Sequence, residues 1–329
     1  MAKYIIRRLL LMIPVLLGIS FLNFALYLNA PGDPVSIMLN PLLLEEAGGG
    51  VGQGRATQDM IDAAKERLGL NKPWPIQYVE WLGNLLHGDF GDSFVNPEPV
   101  NAVIGRAIWP TLQINLIALF LSTIVGVGLG IIQAVRQYSW FDYAASFLSF
   151  FYISMPGFFL ALLMIYIFSI QLGWLPPAGY QTIGIEPSLG DHLRYMVLPT
   201  LVLALGGAPS LMRYTRTAML EVIHQPYITT GHAKGLRRRT VIARHAFRNA
   251  LIPVLTTLGG RLPLLISGSV IIEQIFDWPG MGQASLRATF GRDYPVLMGL
   301  IMMGSLITLV AILITDVAYT LVDPRVRLD

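Results

Sequence analysis

Six runs of predominantly apolar residues, at 9–28, 111–134, 143–170, 196–212, 250–276 and 294–322, dominate the chain. An α-helix needs about 20 such residues to cross roughly 30 Å of hydrocarbon, and most of these runs reach that length. The run at 196–212 is short, but it leads through Leu211-Met212 into a polar stretch that can continue as helix beyond the membrane. Pro156, Pro199, Pro253 and Pro263 lie inside the runs or at their edges. Membrane helices tolerate proline where neighbours satisfy the freed backbone groups, so helical spans are preferred to a barrel. Composition agrees: 54% of the 329 residues are hydrophobic and 13% charged, against a charged share of about 25% in soluble domains. The reading is an all-α membrane protein with six transmembrane helices. Disorder, a nucleic-acid-binding tail and a disulfide-stapled secreted module are excluded. The absence of cysteine removes thiolate, iron–sulfur and Cys-ligated zinc chemistry as well.

A net charge of +3 is too small to act as a whole-molecule property, so the placement of the basic residues carries the information. Lys3, Arg7, Arg8, Arg136, Arg213, Arg216, the basic residues of 234–248, Arg325 and Arg327 fall on the side that holds both termini. Arg194, Arg287 and Arg292 stand in the short loops opposite. The positive-inside rule then predicts a multi-pass protein of the cytoplasmic (inner) membrane with both termini cytoplasmic. Residues 1–28 read as an N-terminal anchor helix; a cleaved signal peptide is the rival, disfavoured by the length of the apolar run and by the Leu28-Asn29-Ala30-Pro31 junction. Residues 29–110 form an extracytoplasmic segment. Within it, Gly48–Gly54 reads as flexible, Thr57–Leu68 and Ile76–Leu86 as short helices, and Trp74, Tyr78 and Trp81 as an aromatic edge. That edge suits either the lipid interface or an external partner. Residues 111–322 make up the membrane domain, with its largest cytoplasmic loop at 213–249, and 323–329 a cytoplasmic tail.

No G-x-x-x-x-G-K-[ST], H-E-x-x-H or G-x-S-x-G motif occurs, and the five histidines are scattered, so neither a P-loop ATPase site nor a metal site is predicted in the chain. Ionisable groups are sparse in the apolar runs: Arg261, Glu273 near an outer end and Asp316 near the inner end, beside the neutral Gln113, Asn115 and Asn23. An ion-coupled carrier is thereby disfavoured. Arg261, roughly in mid-span, must face protein or water. It reads either as a pathway residue for an anionic or carboxylate-bearing substrate, alongside Gln113 and Asn115, or as a structural group that serves backbone carbonyls or snorkels. Gly126-x-x-x-Gly130 reads as a close helix contact.

The loop is the most informative stretch. Gly235 reads as the left-handed stop between two short helices, and at 100° per residue Arg237, Arg244 and Arg248 share one face of the second. A lipid-headgroup anchor would need only the charge, whereas a helix–Gly–helix elbow with small residues at Gly231 and Ala233 fits insertion into a partner's groove. Tyr227–Pro253, reading YITTGHAKGLRRRTVIARHAFRNALIP, resembles the EAA-type coupling loop of ABC importer permeases in its dipeptide/oligopeptide form. The resemblance covers the whole chain. It includes Arg7-Arg8-Leu9, Pro31-Gly32-Asp33-Pro34, His87-Gly88-Asp89-Phe90-Gly91-x-Ser93, Arg213-x-Thr215-Arg216, Met219-Leu220-Glu221-Val222, Glu273-x-x-Phe276-x-Trp278-Pro279-Gly280-Met281-Gly282, Arg292-Asp293-Tyr294-Pro295-Val296 and Asp323-Pro324-Arg325-Val326-Arg327. The external segment is similar to that of the B-type subunit. The chain departs from the family pattern at Thr229–His232, at Pro226 where an acid is usual, and at Arg261 where a neutral Gln is common.

The resemblance implies a type I ABC importer fold and a permease without catalysis of its own. Its expected partners are a C-type permease, two ABC ATPase subunits that carry the ATP and Mg, an extracytoplasmic solute-binding protein and membrane lipid, with no nucleic acid. It further implies that Gly231, His232, Ala233, Lys234, Gly235 and Leu236 form the ATPase-coupling elbow, which Arg237, Arg244 and Arg248 orient. Asp89, Phe90, Gly91 and Ser93 are the expected binding-protein side. Relatives carry dipeptides, longer peptides, nickel chelates, glutathione or oligosaccharides, so peptides are the first expectation for the substrate.

Overall fold

A computed structural model describes residues 2–30, 71–96, 98–184, 186, 188–261 and 269–322. The expected helix at Thr57–Leu68, the glycine-rich stretch before it, the Pro31–Pro34 motif and the tail at 323–329 lie outside the described residues. The described chain is helical, apart from one isolated bridge between Asp92 and Pro99. In order, α1 covers Ala2–Asn29, α2 Trp74–Leu86, α3 Val100–Val135, α4 Trp140–Ser154 and α5 Gly157–Met164, which runs on as a π-helical stretch, Ile165–Gln171. Then come α6 Leu189–Ile223, α7 Pro226–Ala233, α8 Arg238–Thr240, a π-helical stretch Val241–Ala246, α9 Phe247–Gly259, α10 Val270–Ile275, α11 Met281–Phe290 and α12 Tyr294–Val322.

Tyr4–Asn29, Val100–Val135, Leu189–Ile223 and Tyr294–Ala318 are long and apolar enough to cross a membrane. The expected span at 143–170 takes another form: α4 and α5 meet at 105°. The cause is local. Pro156 lacks an N–H and disfavours helical geometry in the residue before it, and Met155 accordingly sits at φ −89°, ψ 123°. Of the expected span at 250–276, α9 and α10 are described and residues 262–268 are not, so four or five of the six expected spans are accounted for among the described residues.

The chain contacts separate two compact units. The first comprises Met1–Arg8, Ile108–Gln283 and Ile307–Asp329. Here α3 and α6 pack closely because Gly126 and Gly130 leave no side chain between them. A Cβ on Gly126 would lie 2.7 Å from Leu211 Cβ, and one on Gly130 2.6 Å from the Met212 carbonyl oxygen, which is the close approach that small residues permit in membranes. Asp142, only 3% exposed, receives a two-point contact from Arg216, Nε to Oδ1 and Nη2 to Oδ2, both at 2.8 Å. Arg8 reaches Asp316 at 2.9 Å.

The second unit comprises Leu9–Ala107 and Ala284–Leu306. The aromatic edge of α2 lies here against α1: Phe21 and Phe24 meet Tyr78 edge-on and tilted at 5.7 and 5.4 Å, Phe24 meets Trp81 at 5.8 Å, and the Tyr78 and Ser20 hydroxyls are 2.9 Å apart. Asn23 donates to the Met298 carbonyl at 3.0 Å.

Candidate coupling elbow and pathway

The elbow begins where α7 stops. Gly235 takes φ +75°, a left-handed conformation that costs a side chain dearly. The Leu236 N–H turns back to the Gly231 carbonyl at 3.3 Å, the six-to-one bond of a Schellman stop. Arg237, at φ −58° and ψ 135°, stands just before α8 and does not share its helix. The following turn is π-helical rather than α-helical, so the single face drawn through Arg237, Arg244 and Arg248 at 100° per residue does not hold as such. All three side chains are exposed.

Beneath the elbow is a buried base. Ile228 of α7, Val241 and Ala246 of the π-helical stretch and Ala250 of α9 pack with Ala134 of α3 and with Ala218 and Met219 of α6. Arg238 Nη2 adds a hydrogen bond of 3.2 Å to the Val135 carbonyl, one of the acceptors left open where α3 ends. Above this base, every residue from Ala233 to Thr240 is exposed. Gly231 is buried, and the side chain of His232 lies outside the described residues. The arrangement is an apolar footing keyed into the C-terminal ends of two long helices, with an eight-residue cap open to solvent.

The three expected pathway residues do not converge. Gln113 accepts from the Tyr180 hydroxyl at 3.3 Å; burial pushes that phenol above its usual range. Tyr180 in turn packs on His192 and Trp278 with ring centres 4.4 and 4.8 Å away. Asn115 is buried and donates to the Thr111 carbonyl at 2.8 Å and to Ser269 Oγ at 3.0 Å. Arg261 lies further along, its Nη1 2.7 Å from where a Cβ on Gly207 would be, next to Ser122. Ser122 is seven residues beyond Asn115 on α3, about 10 Å of rise.

What the expected set missed is Glu273, fully buried. Four donors converge on its carboxyl: Thr111 Oγ1 at 2.8 Å and Ser269 Oγ at 2.7 Å on Oε1, and the N–H groups of Gly282 at 2.7 Å and Gln283 at 3.1 Å on Oε2. The two N–H groups belong to the first turn of α11, where a helix carries its partial positive charge. Gly280 and Gly282 make this possible, because a Cβ on Gly280 would collide with the Glu273 carboxyl and Thr111 Oγ1, and one on Gly282 would lie 2.6 Å from Val270 Cα. Trp278 Nε1, donating to the Pro110 carbonyl at 2.9 Å, locks the same turn onto α3. The signal was the spacing of one acid with two glycines in Glu273–Gly282.

On the outer segment the structure corrects one residue. Ser93 is buried, its hydroxyl donating to Asp293 Oδ2 at 2.5 Å while the Phe94 N–H donates to Oδ1 at 3.0 Å. Its hydroxyl is taken up by Asp293, next to the start of α12, rather than by the outer surface. Asp89 and Gly91 are exposed and Phe90 is half-buried.

With this geometry in place, comparison with known proteins decides the family. The model for the binding-protein-dependent transport system inner membrane component matches residues 126–328, and the model for the N-terminal part of such membrane components matches residues 1–114. The chain belongs to that family. The oligopeptide transport system permease protein AppB of Bacillus subtilis is 40% identical over 328 residues, covering 99% of this chain and all of that one. The dipeptide transport system permease protein DppB of Alkalihalophilus pseudofirmus is 35% identical over 345 residues, with 99% and 100% covered. Among solved structures, a chain of the MetNI methionine ABC transporter in an inward-facing conformation aligns with a TM-score of 0.55 at 17% identity, over 67% of this chain and 96% of that one. That likeness shows the type I importer permease fold, which the sequence motifs led one to expect. A family member of this kind is a multi-pass membrane permease.

Proposed function

We propose that this chain is the conducting permease subunit of an ATP-driven importer of peptides, working with a C-type permease, two ATPase subunits and an extracytoplasmic binding protein. The observation that supports it most is the elbow: a solvent-open cap from Ala233 to Thr240 on an apolar footing shared with the ends of α3 and α6. A carrier that runs without ATP has no use for such a cap. The kinship with oligopeptide and dipeptide permeases over the full chain supports peptides as the cargo.

In this reading ATP hydrolysis belongs to the partner ATPases, which carry the nucleotide and Mg. Their closure moves Ala233, Lys234, Gly235 and Leu236, and the packed base carries that movement to α3 and α6 as one body. Coupling works only if docking at the elbow differs in energy between the inward and outward states. Asp89, Phe90 and Gly91 face the binding protein on the outer side, and both termini lie in the cytoplasm.

The test is a mild-detergent pulldown of the tagged chain from its native membrane, with mass spectrometry of what is retained. A second permease, P-loop ATPases and a peptide-binding protein are expected. If the chain came down alone and moved solute in liposomes without ATP, the reading would fail.

A further inference from the structure

Arg261 stands in the turn two residues past α9, its backbone N–H on the Leu258 carbonyl at 3.0 Å. Its guanidinium enters the space that Gly207 leaves on α6, with Ser122 of α3 beside it. Gly207 is 18 residues from Leu189 and 16 from Ile223, so this is the middle of a long membrane-spanning helix. A cation at that depth is costly and is normally offset by an acid. None offsets this one among the described residues, where Arg261 forms no side-chain hydrogen bond or ion pair.

Buried or partly buried acids elsewhere in the fold are already engaged: Asp142 with Arg216, Asp316 with Arg8, Asp191 with Thr182, and Glu273 with its four donors. Residues 262–268, LPLLISG, contain no acid either. Ser122 cannot substitute as a hydrogen-bond donor to an incoming anion, because its hydroxyl donates to the Leu119 carbonyl at 3.0 Å. The side chain is half-buried, neither sealed in the core nor lying on the surface. A fork of N–H donors with a fixed positive charge and no anion of its own among the described residues is suited to receive a carboxylate.

We propose that Arg261, seated between Gly207 and Ser122, is a carboxylate-binding residue of the translocation pathway that takes the C-terminal carboxylate of a passing peptide. The inference rests on the reading of the chain as a peptide-conducting permease. Every linear peptide carries that group whatever its sequence, so one guanidinium can serve a mixed cargo, and a single contact is weak enough to release it.

The experiment uses the complete transporter with its binding protein in proteoliposomes and compares ATP-driven uptake of Ala-Ala-Ala, its C-terminal amide and Ala-Glu-Ala amide. Each rate is divided by the binding protein's own affinity for that peptide. Wild type should favour the free acid over the amide by about tenfold or more, as a charge-assisted contact to one partner allows. Arg261→Gln should bring the ratio close to one while uptake of the amide continues, and Gly207→Ala, whose Cβ displaces the guanidinium and keeps its charge, should lower the ratio part of the way. Recovery of the amide's deficit by Ala-Glu-Ala amide would support the carboxylate site and assign it to side-chain acids too. A ratio near one in wild type, or a ratio unchanged in Arg261→Gln, overturns the inference. The wild-type ratio decides the matter even if a variant does not assemble. No uptake of any peptide by wild type would instead overturn the peptide-conducting reading, and this inference with it.

Discussion

Glu273 shows how a single acid organises its surroundings without a basic partner. Two hydroxyls occupy one carboxyl oxygen and two backbone N–H groups the other, and each hydroxyl accepts in turn, Thr111 from the Met281 N–H at 2.7 Å and Ser269 from Asn115. The node thus ties α3, the start of α10 and the start of α11 with every donor satisfied. In Glu273→Gln one oxygen becomes an NH2, and whichever way the amide turns, two donors lose their acceptor. The expected cost is about 1–3 kcal/mol, read as a lower unfolding temperature of the purified assembly. An unchanged midpoint would mean that the node does not hold these elements together. Thr111→Val should lower it as well, because the Met281 N–H and the carboxyl lose the same partner.

Two elements owe their geometry to one residue each. At the elbow, Gly235 at φ +75° carries the reversal from α7 to α8, and a β-branched side chain there costs roughly 1–2 kcal/mol or more. Gly235→Val should therefore leave membrane insertion intact while reducing retention of the ATPases and transport; normal assembly and uptake would count against the elbow's role. A Cβ on Gly235 would meet nothing within 4 Å, so any defect comes from the backbone and not from a clash.

The bend of 105° between α4 and α5 depends on Pro156 in the same way. Because the chain has no cysteine, spin labels can be placed singly or in pairs. With labels at Tyr143 and Ile170, both exposed, a straightened helix would separate the positions by about 40 Å. Pro156→Ala should lengthen the measured distance toward that value, and a distance equal to that of the parent chain would assign the bend to tertiary packing.

At the scale of the whole molecule, the distribution of Lys and Arg sets the expected sidedness. A single cysteine at Lys234 should react with a membrane-impermeant maleimide only after the cells are opened, whereas one at Gly91 should react in intact cells. Both positions are exposed in the fold of the chain itself, so lack of reaction would not come from burial within it. The reverse pattern would invert the proposed orientation and remove the elbow from the side where ATP is found.

The helical membrane class was legible because apolar runs near 20 residues leave a chain few ways to satisfy its backbone in lipid. The elbow was legible because its stop depends on a local left-handed glycine. The close approach at Gly126 and Gly130 was readable too, since a missing Cβ is recorded in the residue itself.

The tertiary structure decided the rest. The bent pair replaced a single expected span because hydropathy averages over Pro156 while backbone sterics do not. Gln113, Asn115 and Arg261 separated because shared apolar runs say nothing of which neighbour each polar group meets. Ser93 and Asp293, 200 residues apart, and Thr111 and Glu273, 162 apart, became partners only through packing. Local rules act over a few residues along the chain, whereas a buried polar group is satisfied by whatever the fold brings within about 3 Å.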